Sequence, residues 1–155
     1  MEDLCTPVSG SSKIAAYSMP LVNPVLTIDS AANDSDKTIV VPANKLWQVQ
    51  SIYVTLATSV KVGTRILLTT FNDDSDNIIY EMRALNIQLA SCTEYYIFSQ
   101  GFSLPTENTA SYHFIPIPPA LYLNPGFYIR IYDQAVQDPT VDDLIIRLMA
   151  NEIPI

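Results

Sequence analysis

KLWQVQSIYVTLATSVKVGTRILLTTFN, residues 45–72, is the clearest β-forming stretch of the chain. Two long runs rich in Val, Ile, Leu, Thr, Tyr and Trp flank a short break at 59–63. β-Branched and aromatic side chains suit a pleated surface, so the runs read as strands, and the break predicts an antiparallel hairpin between them. Inside the first run the alternation changes phase. Trp47 and Val49 hold one parity, whereas Ile52, Val54 and Leu56 hold the other, so the flip falls across Gln50-Ser51. A β-bulge at that step returns both sets to one face.

Downstream, Asn72-Asp73-Asp74-Ser75-Asp76-Asn77 is a polar hairpin turn, because Asp and Asn bond their own backbone and tolerate turn conformations. Strands are expected at 78–83, 94–99, 111–115 and 121–123, while 84–92 fits either an irregular strand or one helical turn. Pro116, Pro118 and Pro119 cannot donate to a ladder, which places that segment on an edge or between sheets. Asn124-Pro125-Gly126 sets a tight turn, followed by a strand with Phe127, Ile129 and Ile131 to the core and Tyr128, Arg130 and Tyr132 outward. Over 140–150 a helical spacing competes with the alternation Leu144, Ile146, Leu148, Ala150. Adjacent Ile145-Ile146 favours a strand, expected to pair with the preceding one.

Upstream, a short strand at 38–41 opens the patterned region. Residues 1–36 are instead rich in Ser, Asn, Asp and Pro and read as an extended N-terminal arm, with 37–155 as the domain. Ile14-Ala15-Ala16-Tyr17 and Val25-Leu26-Thr27-Ile28 within the arm are each able to add a strand to a neighbouring edge, the other reading being a flexible tail. The expected fold class is therefore all-β: an antiparallel two-sheet β-sandwich of eight or nine strands, jelly-roll or Greek-key because Pro-rich crossings separate the hairpin pairs.

The composition narrows the function. Sixteen acidic against 8 basic residues give a net charge of -8, which argues against nucleic acid and against anionic membrane as partners. Cys5 and Cys92 are too few and too far apart for a disulfide framework, and the acidic start MEDLC carries no basic-then-apolar leader, so cytoplasmic synthesis is expected. His113, the one histidine, lies between Tyr112 and Phe114 as a packed strand residue rather than a general base. Asn72, Asp74 and Asp76 share the opening spacing of a calcium loop, but Asn77 and Arg83 stand where that pattern wants Gly and Glu. The turn acids Asp34, Asp36, Asp73, Asp74, Asp76, Asp142 and Asp143 read as solvated, which leaves no carboxylate pair for hydrolysis. Arg65, Arg83, Arg130 and Arg147 fall in predicted strands, either as outward-facing residues or as partners for a neighbouring subunit's carboxylates. No catalytic, cofactor-binding or metal-binding residue is assigned, and the chain is expected not to be an enzyme.

Val41-Pro42-Ala43-Asn44-Lys45-Leu46-Trp47-Gln48-Val49-Gln50-Ser51-Ile52 and Leu121-Tyr122-Leu123-Asn124-Pro125-Gly126-Phe127-Tyr128-Ile129-Arg130-Ile131-Tyr132-Asp133 resemble the strands of small β-sandwich virion proteins of tailed bacteriophages, over roughly residues 37–150. The resemblance implies a capsid decoration or cement protein located in the virion. Its partners would be the major capsid protein or other virion proteins, it would be a homo-oligomer with a trimer favoured, and an extended terminus would tie neighbours together. The alternative is a carbohydrate- or receptor-binding module of a phage tail or fibre, for which a Tyr-rich surface would serve.

Overall fold

The computed structural model describes residues 22–29, 36–101, 111–135, 138 and 141–155, and among them it contains strands and no helix. In chain order these are β1 (Asn23–Asp29), β2 (Asp36–Val40), β3 (Lys45–Ala57), β4 (Leu67–Asn72), β5 (Ile78–Arg83), β6 (Thr93–Ser99), β7 (Tyr112–Pro116), β8 (Tyr122–Leu123), β9 (Tyr128–Asp133) and β10 (Asp143–Pro154). One sheet runs β1-β10-β3-β6-β7, with β8 also on β3; the other runs β2-β9-β4-β5. The antiparallel pairs β1·β10, β2·β9, β3·β6 and β4·β5 are successive rungs of one long hairpin, and the pairings β10·β3 and β9·β4 roll it into two layers. That strand order is a jelly roll, so the all-β sandwich is present, with the β6·β7 pair as its one parallel contact.

The bulge lies where the phase flip puts it. Ser51 faces Met149 and Val49 faces Ala150, which leaves Gln50 as the extra residue. Trp47, Val49, Ile52, Val54 and Leu56 are accordingly all buried on one side of β3. They pack with Leu144, Ile146 and Leu148 of β10, Phe98 of β6, and Leu67, Phe71, Ile129 and Ile131 from the facing sheet. The tight turn is also present. Gly126 has φ +81° and the Phe127 N–H reaches the Asn124 carbonyl at 3.1 Å.

Two sequence expectations are corrected. β3 and β4 are not a hairpin, because the linker 58–66 carries the chain from one sheet to the other and each strand finds other partners. β10 is a strand as expected but pairs with β1 and β3, not with the preceding β9, since the jelly roll closes first to last. In the arm, the flexible-tail reading of one segment gives way to the strand-adding one. Val25-Leu26-Thr27-Ile28 belongs to β1, which pairs with β10 along its whole length and sets Val25 against the core, an edge position that tolerates Pro24. Ile14-Ala15-Ala16-Tyr17, Cys5, Asp34 and the loop at 105–109 lie outside the described residues.

Candidate contact surface at the loop end

The linker 58–66, the β5–β6 connection 84–92 and the segment leading into β10 meet at one end of the sandwich, stitched by backbone hydrogen bonds. Arg65 and Gln88 exchange a pair at 2.9 Å each, and the Ser91 N–H donates to the Ser59 carbonyl at 2.8 Å. Beneath these loops lies a buried polar cluster. Arg65, fully buried, donates through Nε to Asp142 Oδ2 at 2.9 Å and through Nη2 to Asp142 Oδ1 at 3.1 Å. Its Nη1 reaches the carbonyls of Lys61 at 2.8 Å and Gly63 at 3.2 Å, so one guanidinium holds the whole linker in shape. Asp142 also accepts from the Ser59 N–H at 2.7 Å. Burial pushes the Asp142 carboxyl up, but the Arg65 and Ser59 hydrogen bonds outweigh it and hold the acid below its ordinary range.

Gln88 is the second anchor. Its Nε2 donates to the carbonyls of Leu56 at 2.6 Å and Cys92 at 3.0 Å, and its Oε1 accepts from the Tyr96 hydroxyl at 3.1 Å. Thr58 adds a hydrogen bond from Oγ1 to the Leu89 carbonyl at 2.6 Å. Polar side chains therefore occupy the inside of this end, and the aliphatic ones point out: Leu85 is 99% exposed, Val62 89%, Val60 84%, with Leu89, Val141 and Ile87 more than half exposed. Leu85 also borders two open grooves, one of about 360 Å³ with Ile66, Arg83, Ala84 and Ile87, and one of about 310 Å³ between β5 and β7.

Covering such a crown would be driven by excluded water. Six aliphatic side chains at roughly 100 Å² each make about 600 Å² of apolar surface, at the top of what a monomer ordinarily shows. The buried hydrogen bonds fix the loops that carry it, so little entropy is lost on docking.

The residues weighed from sequence fall elsewhere. His113 is buried on the inner side of β7, stacked on Tyr96 at 4.7 Å, with Nε2 2.7 Å from Glu94 Oε2 and Nδ1 3.4 Å from the Asn86 amide. It ties β7 to β6, and neither of those hydrogen-bond partners is the Ser or Cys of a hydroxyl- or thiol-histidine pair. Burial, with the Glu94 charge second, pushes the Tyr96 phenol well up, so it stays a neutral donor. At the hairpin tip, Asp73 caps the Ser75 and Asn77 N–H groups at 2.9 and 2.8 Å, Asp76 accepts from the Tyr128 hydroxyl at 2.9 Å, and Asn72 is buried in β4. Among the described residues, no group of three or more His, Cys, Asp or Glu is arranged to hold a metal ion.

The arginines divide. Arg130 pairs with Asp36 of its own chain at 3.0 and 2.6 Å, and Arg147 lies 5.4 Å from the Tyr53 ring centroid. Arg65 is neither outward-facing nor bound to a neighbour, and Asp142 is not a solvated turn acid. The two ends of their pair are 77 residues apart, and only the closed jelly roll brings them together. Neither the pair nor the exposed crown was read from sequence. The available signal was Leu85-Asn86-Ile87-Gln88-Leu89, whose alternation fits either phase until Gln88 is known to face inward.

No protein-family model and no curated protein matches the chain. A chain in the structure of infectious bursal disease virus, Gx strain, is similar: the match covers 86% of this chain and 43% of that one, at 12% identity and a TM-score of 0.27. The present chain thus spans less than half the length of that viral chain.

Proposed function

We propose that the chain is a non-enzymatic virion structural protein of the capsid decoration type, a homo-oligomer that holds a shell through surface contact. The crown at the loop end carries the contact reading, because rigidly presented aliphatic side chains serve adhesion and none of the groups around them serves catalysis. Assignment to a virion rests on the sequence resemblance at 41–52 and 121–133. With 23–29 built into the sandwich, the candidate tether shortens to residues 1–21.

The test is co-sedimentation of the recombinant chain with capsid shells of the encoding phage. Wild type should pellet with shells, and Val62→Glu/Leu85→Glu, which alters only exposed positions, should lose at least tenfold in affinity while melting normally. Failure of the wild type to bind, or normal binding by the double variant, overturns the proposal.

Ring geometry weighs against the carbohydrate-binding alternative. Tyr95 and Tyr112 stack on each other at 4.7 Å and 20°, and Tyr53 follows at 6.2 Å and 30°. Rings stacked side by side cover one another's faces, and sugar stacking needs those faces open.

A further inference from the structure

We infer that the outer face of the six-stranded sheet is covered by the same face of a second copy of this chain. The inference takes from the preceding reading only that the chain self-associates, and it needs no particle.

A sheet with one face to water alternates apolar-in with polar-out. The four-stranded sheet follows that rule along one outer row and departs from it along the next, where Val40 and Ile78 are more than half exposed. The first row, Thr38, Arg130, Thr70, Glu81, is polar throughout, and Arg130 there pairs with Asp36. The six-stranded sheet breaks it. In register across its five main strands lie Ile28, Arg147, Tyr53, Ile97 and Phe114. The row to one side begins with Leu26 and Met149, and the row to the other ends with Tyr95 and Tyr112. Leu26 is 63% exposed and Ile28 54%, with Met149 and Tyr112 also open to solvent. Five strands about 4.8 Å apart and three outward rows about 7 Å apart make a field of roughly 25 by 20 Å. That is about 500 Å² on each copy and about 1,000 Å² in all, at the lower bound for a specific interface.

Charge selects the occupant. The chain carries -8, yet Arg147 is the sole charged residue in these three rows. Two copies can therefore meet here without setting acid against acid. A basic partner would find no carboxylate on this field, and a polyanion would find one cation where it needs several. The field also complements itself: Arg147 already lies over Tyr53, and Tyr95 and Tyr112 continue the aromatic surface. A twofold axis through the field packs the outward edges of these stacked rings against Leu26, Ile28 and Met149 of the other copy, so the contact is apolar.

Sedimentation velocity at micromolar concentration tests this directly. Wild type should run as an even multiple of the 17.2 kDa chain, because an isologous contact pairs copies two by two. Met149→Glu/Tyr112→Glu should halve that multiple or release monomer while keeping the wild-type circular dichroism spectrum, the loss of the Tyr95 stack lowering Tm only slightly. Arg147→Glu should weaken association at least tenfold. The crown variant Leu85→Glu should leave the mass unaltered. A monomeric wild type, an odd multiple, a Met149→Glu/Tyr112→Glu variant of undiminished mass, or loss of assembly in Leu85→Glu instead would each overturn the inference. So would binding of monomer to phosphatidylcholine vesicles through this face. Loss of shell binding with the even multiple retained would sink the particle reading and leave this one standing.

Discussion

Replacing Asp142 with Ala should be among the most damaging single substitutions in this domain, although the residue sits at the mouth of a loop. Both members of the Arg65–Asp142 pair are fully buried, and Asp142 supplies two of the guanidinium's hydrogen bonds, at 2.9 and 3.1 Å. Without it Arg65 keeps the Lys61 and Gly63 carbonyls and the Ser59 hydroxyl, which are dipoles and not a countercharge. Stranding a buried charge costs about 3–5 kcal/mol, which at roughly 2–4 °C per kcal/mol for a chain of this size lowers Tm by about 6–20 °C. Arg65→Met/Asp142→Leu removes both charges and should be markedly less destabilised than Asp142→Ala alone. Urea unfolding followed by circular dichroism measures all three chains, and hydrogen exchange should show the loss of protection concentrated in 58–66 and 84–92. A drop of less than 1 kcal/mol for Asp142→Ala, or a double variant as unstable as the single one, would refute the argument that the pair is desolvated.

The same pair sets an acid limit. Because the folded-state pKa of Asp142 lies below its unfolded value of about 3.9, the pair's contribution is complete above that pH and is lost as pH falls through the folded value. Stability measured from pH 7 to pH 2 should therefore fall off in acid, less steeply in Arg65→Met/Asp142→Leu; equal slopes would contradict this. Tyr96→Phe removes the one hydroxyl proton shared between Gln88 Oε1 and Glu94 Oε2 and should cost about 1–3 kcal/mol by urea titration. At Gly126 an added Cβ meets only Asp74 Cβ at 3.6 Å, so Gly126→Ala should cost about 1–2 kcal/mol from its left-handed backbone alone. Deleting Gln50 removes the bulge and leaves Val49 and Ile52 two apart, so Trp47 and Val49 stay on the face of Ile52, Val54 and Leu56; the melt should stay cooperative, whereas turning those two side chains outward would cost roughly 3–6 kcal/mol at about 1.5–3 kcal/mol each.

Local physics made part of this molecule legible. The bulge at Gln50 is written in a change of parity, the strand at 143–154 in Leu144, Ile146, Leu148 and Ala150, and the turn at 124–126 in a Pro-Gly pair whose φ requirements admit few alternatives. What failed was partnership. A break at 59–63 looks the same whether the chain turns back within a sheet or crosses to the next one, and only its length hinted otherwise, since 58–66 exceeds an ordinary hairpin loop. β1 was legible only as one of two readings, an added edge strand or a tail, for a related reason. An edge strand buries one side of Val25 and leaves Leu26 and Ile28 in solvent, so its composition is that of an arm.

The candidate surfaces were illegible because each reverses the usual rule. At the loop end Arg65, Asp142 and Gln88 are inside while Leu85, Val62 and Val60 are outside. For a solitary folded chain that exchange gains nothing: hydrophobic residues in place of the buried pair would be as stable or more so, and polar residues in place of the exposed aliphatics would be more soluble. A directional set of hydrogen bonds does what apolar packing does poorly, which is to hold three loops in one geometry. The exposed aliphatics then gain their free energy only when a partner covers them. The buried ion pair and the bare leucine are thus two halves of one arrangement, and its energetic sense is the contact we propose.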